Sequence, residues 1–214
     1  MKYETVPVTP FMQNCRIVYC SNTREAAIVD PGGDVERILS VVQSLKVTPT
    51  QIWITHAHLD HVGGVAALQR LLDIPVIGSH RDDQVLIDGL PQAAAMFGLP
   101  VPETYVPTRW LEEGDTLALG RLSFDVMHCP GHAPGHVVFI NREARCMLAG
   151  DVLFQHSIGR TDLPGGNAEQ LLASIRRLWP LGDDMRVLSG HGEPTTLGHE
   201  RLHNPFVGVD ARPF

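Results

Sequence analysis

Apolar positions along this chain follow two rhythms. Three short runs near the start, Lys2 to Val8, Cys15 to Cys20 and Ala26 to Val29, are strand-like and are separated by the turn chemistry of P-F-M-Q-N and S-N-T-R-E, which predicts an antiparallel beginning. The period then changes. After D-P-G-G-D, Asp30 to Asp34, the residues Val35, Ile38, Leu39, Val42 and Leu45 fall at helical spacing, with Asp34 placed to cap the helix. Gln51 to Thr55, Q-I-W-I-T, returns to a strand, and Val62, Val65, Leu68, Leu71 and Leu72 set a second helical stripe before a short strand, Pro75 to Gly78.

A less patterned stretch, His80 to Pro107, contains two helical pieces, D-D-Q-V-L-I-D and Q-A-A-A-M-F-G, and is expected at the surface near the functional site. Strands resume as L-A-L, L-S-F-D-V-M, H-V-V-F-I and C-M-L-A from Thr116 onward. A last helix is expected over Ala168 to Leu178, then the strand R-V-L-S and the loop G-H-G. Strands and helix followed by strands and helix again predict two half-domains, each a sheet covered by helices on one face. Stacked sheet to sheet they give an α/β (α+β) fold, a four-layer αββα sandwich, with residues 1–214 as one domain.

Composition narrows the function classes. Hydrophobic residues make up 43% and charged residues 19%, as in an ordinary packed protein. The net charge of −7 is spread without a Lys/Arg run, which argues against nucleic acid or anionic lipid as a partner and leaves small molecules. No apolar run reaches the length of a membrane span, and M-K-Y-E-T-V-P-V is not a signal-peptide apolar region, so a cytoplasmic protein is expected. Cys15, Cys20, Cys129 and Cys146 form no C-x-x-C pair and are read as buried, reduced thiols.

The chemistry concentrates in T-H-A-H-L-D-H-V-G-G, Thr55 to Gly64. Alternate side chains of an extended segment point the same way, so His56 and His58 can reach one metal from a strand end. Asp60 and His61 follow where the chain turns into a helix and can serve a second position, while Gly63 and Gly64 let backbone pass close by. Three other strand ends run into a glycine loop bearing a ligand type: P-G-H-A-P-G-H with His132, G-D with Asp151 and G-H-G with His191. Such junctions can converge at one sheet edge. A structural zinc site would be four-coordinate and commonly Cys-rich, whereas these seven candidates include no Cys. His136 is assigned to a supporting hydrogen bond or to strand packing, and Cys129 to the core. His80, His128, His156, His199 and His203 are read as surface or satisfied core residues.

Together, T-H-A-H-L-D-H-V-G-G, P-G-H-A-P-G-H, G-D-V-L-F and G-H-G resemble the metallo-β-lactamase superfamily, whose fold is the αββα sandwich. D-P-G-G-D, S-I-G-R-T-D and T-L-G-H-E-R-L-H-N-P-F resemble its short hydroxyacylglutathione hydrolase (glyoxalase II) group, which lacks the long C-terminal helical substrate domain. The resemblance implies His56, His58 and His132 as ligands of one divalent ion, Asp60, His61 and His191 as ligands of a second, and Asp151 as the bridge. It implies hydrolysis of an acyl thioester such as S-lactoylglutathione by a metal-bridging hydroxide. It further implies Asp60 and Asp151 as the catalytic carboxylates, Asp60 also as a proton carrier, and Arg160 as the contact to a substrate carboxylate. Zinc is the first expectation, with iron or manganese as alternatives. A mononuclear iron persulfide dioxygenase and a lactonase are the competing activities.

Overall fold

In the computed structural model, which describes residues 1–211, β1 (Lys2–Val8), β2 (Gln13–Tyr19), β3 (Glu25–Val29), β4 (Thr48–Ile54) and β5 (Val76–Gly78) hydrogen-bond in that order. The last three residues of the expected 1–214 unit lie outside the described residues. β1 to β3 are antiparallel, as their turns predict, while β3, β4 and β5 are parallel. Parallel neighbours require crossovers, supplied by α1 (Val35–Leu45) and then by α2 (Leu59–Val62) and α3 (Val65–Leu72).

Three local expectations are corrected here. Asp34 sits at the head of α1 but in the left-handed region (φ 48°), and its carboxylate accepts from Thr9 N at 2.8 Å instead of capping the helix. The stripe from Val62 to Leu72 is two helices, because the backbone at Gly63 lies against Gly32, whose carbonyl oxygen a Cβ would meet at 2.6 Å. Within α3, Val65 and Leu68 are buried, whereas Leu71 is 60% exposed.

The second sheet contains β6 (Thr116–Leu119), β7 (Leu122–His128), β8 (Val137–Asn141), β9 (Cys146–Gly150), β12 (Arg186–Ser189) and β13 (Thr195–Thr196), in the order β13-β12-β9-β8-β7-β6. A small hairpin, β10 (Leu153–Phe154) with β11 (Ser157–Ile158), follows β9. Between the sheets in sequence come α4 (Gln84–Asp88) and α5 (Leu90–Met96), close to the two helical pieces expected there. α6 (Ala168–Arg176) begins at Asn167, whose side chain accepts from Gln170 N. α7 (Leu197–His203) is an unpredicted helix, capped by the Thr196 hydroxyl accepting from His199 N.

Strand alternation divides the interior into three apolar layers. Ala26 and Ile28 of β3 face the helices of the first half with Ile38 and Leu68, while Ala27 and Val29 face the other sheet. In β8, Val137 and Phe139 face inward, and Val138 and Ile140 pack with Leu171 and Ile175 of α6. Trp53 fills the space between the sheets, its ring 4.9 Å from Phe124 and 5.3 Å from Phe139. Helix, sheet, sheet and helix are therefore the four layers expected from the sequence. All four cysteines are buried free thiols. Among the described residues no helix is long and apolar enough to cross a membrane.

Candidate metal centre

The segments after β4, β7, β9 and β12 carry the sequence-predicted ligand residues to one place. His56 and His58 leave β4, Asp60 and His61 lie in α2, His132 follows β7, and Asp151 and His191 follow β9 and β12. Backbone bonds join the halves here: Val137 N donates to Thr55 O at 2.8 Å, Asn14 N to Gly190 O at 2.7 Å and His80 N to Gly135 O at 2.9 Å. Gly190 has no room for a side chain, since a Cβ would lie 2.1 Å from Asp151 Oδ1 and 2.7 Å from His61 Cε1.

Two groups of donor atoms result. His58 Nδ1 lies 2.9 Å from His132 Nε2, which lies 3.2 Å from His56 Nε2. In the second group, His191 Nε2 is 3.0 Å from Asp60 Oδ2, and His61 Nε2 is 3.8 Å from the same oxygen. Asp151 faces both groups: Oδ2 is 3.6 Å from His132 Nε2 and 3.6 Å from His191 Nε2, and Oδ1 is 3.4 Å from His61 Nε2.

The surroundings orient the rings. His56 Nδ1 pairs with Thr55 Oγ1 at 3.0 Å, His61 Nδ1 with Asp30 Oδ2 at 3.0 Å, His132 Nδ1 with Arg160 O at 2.7 Å and His191 Nδ1 with Phe11 O at 3.2 Å. An imidazole that donates from Nδ1 presents a lone pair at Nε2, the arrangement that outer partners impose on metal-ligating histidines. His61 Nε2 and Asp151 Oδ1 are buried with no hydrogen-bond partner. Buried polar atoms are normally paired, so these two orphans inside a ring of further N and O donors fit bound cations.

Electrostatics separate the groups. Burial, reinforced by the neighbouring His132, pulls His58 down to about 3, and burial likewise lowers His56 and His132, leaving neutral imidazoles suited to a cation. Burial alone would lower His61 as well, but Asp151 and Asp60 outweigh it and hold His61 well above its ordinary value. Asp151 is the counterpart: burial favours its neutral form, yet His61 and then His132 keep it well below the carboxylate range.

Supporting residues that sequence reasoning passed over are carboxylates. Asp30 accepts from Thr55 N (2.7 Å), Thr55 Oγ1 (2.6 Å) and His61, so it steadies two of the rings. Its signal was an acid at the end of an apolar strand before P-G-G. Asp83 accepts from Ala57 N (2.9 Å), Ser79 Oγ (2.7 Å) and Gly135 N (2.6 Å), thereby tying the loop of His56 and His58 to that of His132. Nothing in R-D-D-Q distinguishes it from a solvated acid. His136 stacks on His56 at 4.6 Å and its Nε2 accepts from Asp151 N at 3.0 Å. Cys129 is fully buried, and burial pushes its thiol up to about 12, the state of a core thiol. The other five histidines do not line the pocket; His80 stacks on His128, and His156 meets His199.

A pocket of about 620 Å³ opens over the cluster and is lined by His58, Asp60, His132, Asp151 and His191. Arg160 also lines it, but its guanidinium forms a two-pronged bond with Asp162, both contacts at 2.7 Å.

A two-sheet sandwich with this His/Asp cluster at the strand ends defines the class of metal-dependent hydrolases. The chain belongs to the metallo-beta-lactamase superfamily, whose family model matches residues 8–191. It is 43% identical to the hydroxyacylglutathione hydrolase GloC of Haemophilus influenzae, over 97% of this chain and 98% of that protein. Among solved structures it is similar to BLEG-1 B3 metallo-beta-lactamase, with TM-score 0.89, 38% identity and coverage of 96% and 99% of the two chains. It is also similar to TTHA1623 in a di-iron-bound form, with TM-score 0.87, 42% identity and coverage of 95% and 99%.

Proposed function

We propose that this protein is a cytoplasmic hydrolase of acyl thioesters, of the hydroxyacylglutathione hydrolase type, with residues 1–214 as a single catalytic domain. In this reading His56, His58 and His132 hold one divalent ion, Asp60, His61 and His191 hold a second, and both share Asp151. The observation that carries it is Asp151, whose two oxygens lie 3.4–3.6 Å from nitrogens of both groups. The donor set suits zinc, iron or manganese. When bound, such a pair of ions supplies Lewis acidity and an activated water at neutral pH.

The chain's own residues do the rest. Asp60 lines the pocket with Oδ2 turned to His191 and His61, so its other oxygen, Oδ1, can take a proton from the nucleophile. Outside the cluster the lining's ionisable side chain is Arg160, a cation that does not serve as a general acid. A thiolate, with a thiol pKa of about 8.5, departs without general-acid help, whereas an amine would depend on the proton carried by Asp60. The relationship to GloC supports the same substrate class.

The test is hydrolysis of S-lactoylglutathione without oxygen, by protein whose metal content is counted in the same preparation, with a β-lactam in parallel because of the likeness to BLEG-1. Turnover that tracks two metals per chain supports the proposal. A fully metallated protein that opens the β-lactam and leaves every thioester intact overturns it.

A further inference from the structure

Away from the cluster the pocket changes character. Its wall draws on α4 and α5 together with Phe11, Phe154 and Ile158. Four apolar side chains on it are exposed: Val85 at 61%, Met96 at 68%, Phe97 at 42% and Phe11 at 37%. The rings of Phe11 and Phe97 meet edge to face, with centroids 5.4 Å apart. A single exposed apolar residue is ordinary. Four on one concave wall beside a reactive cluster are the lining of a site for an apolar group.

The charges on that wall point the same way. Glutathione carries two carboxylates and an ammonium group, and a site built for it would present several counter-charges. Here Arg160 is the one cation of the lining outside the cluster, and Asp162 already occupies its fork. The thiol halves of biological thioesters are polar, so the half that suits an apolar wall is the acyl chain.

Resting on the thioesterase reading, we propose that the wall formed by α4, α5 and Phe11 is an acyl-chain subsite, and that the preferred substrates are thioesters of apolar acyl groups in place of the small, polar lactoyl group. With the carbonyl at the His/Asp cluster, the chain extends along Leu86, Met96 and Phe97 while the thiol half remains toward solvent.

The experiment uses the metal-loaded full chain and a series of acetyl, butyryl, hexanoyl and octanoyl thioesters of one thiol, N-acetylcysteamine, with S-lactoylglutathione alongside. kcat/KM is expected to rise along the series by about fourfold per methylene, the ratio that burying one methylene at about 0.8 kcal/mol gives, until the subsite is full. Met96→Ser, at a position exposed enough to spare the fold, is expected to flatten that rise. In parallel, calorimetric binding of butyrate, hexanoate and octanoate to the metal-free protein reads the subsite without turnover. Affinity rising with chain length, with a negative heat-capacity change, supports it. A flat series in both measurements, or a clear preference for S-lactoylglutathione, overturns the subsite. Rising carboxylate affinity with no thioester hydrolysed overturns the thioesterase reading and leaves the subsite standing.

Discussion

Asp83 makes no contact with a candidate ligand, yet it sets the spacing between two ligand loops through the backbone N–H groups of Ala57 and Gly135. All three of its hydrogen-bond partners donate, so the ionised carboxylate is the matched form, and an amide would turn an N–H toward at least one donor. Asp83→Asn is therefore expected to weaken metal binding about 10–100-fold, measured by competition with a chromophoric chelator. It should also alter the pH dependence of stability. Burial raises Asp83 from 3.8 to about 6, so the folded state binds its proton more tightly than the unfolded chain. Its contribution to stability is then largest below the unfolded value, falls as pH rises through the window from 3.8 to about 6, and is level above it. Urea midpoints across that window should lose this component in the Asn variant, and an unchanged slope would discard the assignment. His58→Ala tests the centre itself: His58 is partly exposed, so the fold should survive, while turnover falls on the order of 10³-fold with loss of one metal per chain. Retained activity would mean that His58 is not a ligand.

At the level of elements, the loop after β12 shows how tightly backbone limits the cluster. Gly190 N donates to Gly150 O at 2.7 Å while its own carbonyl receives Asn14 N, so the chain cannot retreat from Asp151 and His61. Gly190→Ala is expected to displace both side chains and lower affinity for the second metal about 10–100-fold with little change in far-UV circular dichroism. Two tightly held metals in that variant would contradict it. This crowding also explains what could be read in advance. β3 and β8 were legible because burial on both faces makes them short, nearly unbroken apolar runs, and the ligand-bearing strand ends because a glycine stands at each. α7 was not, since L-G-H-E-R-L-H buries one large apolar residue, Leu197, and fixes itself by Glu200 accepting from Thr195 Oγ1 and His156 N. Asp34 misled because a distant partner, Thr9 N, outcompetes the local cap. Asp30 and Asp83 illustrate the general difficulty: a buried acid and a solvated one have the same letter, and burial is decided by loops far apart in sequence.

For the molecule as a whole, the centre is a seam between the two sheets. His56, His58, Asp60 and His61 belong to the first half of the chain and His132, Asp151 and His191 to the second, so ions held by both sets would link the halves. Along the same edge Arg16, nearly fully buried, donates to Ser189 O at 3.0 Å, and Trp53 fills the inter-sheet layer with Phe124 and Phe139. A ligand that binds only the folded state stabilises it by mass action, by about 2.7 kcal/mol at a free concentration of a hundred times Kd. For a chain of this size that corresponds to about 5–10 °C in Tm. Chelation should therefore lower Tm by about that amount in the wild type and by much less in Asp151→Ala, which lacks the shared carboxylate. Calorimetric scans with and without chelator on both proteins make the comparison. If chelation leaves the wild-type Tm where it was, the ions do not link the sheets, and the apolar layer around Trp53 holds the two halves together with the hydrogen bonds of Val137, Asn14 and Arg16.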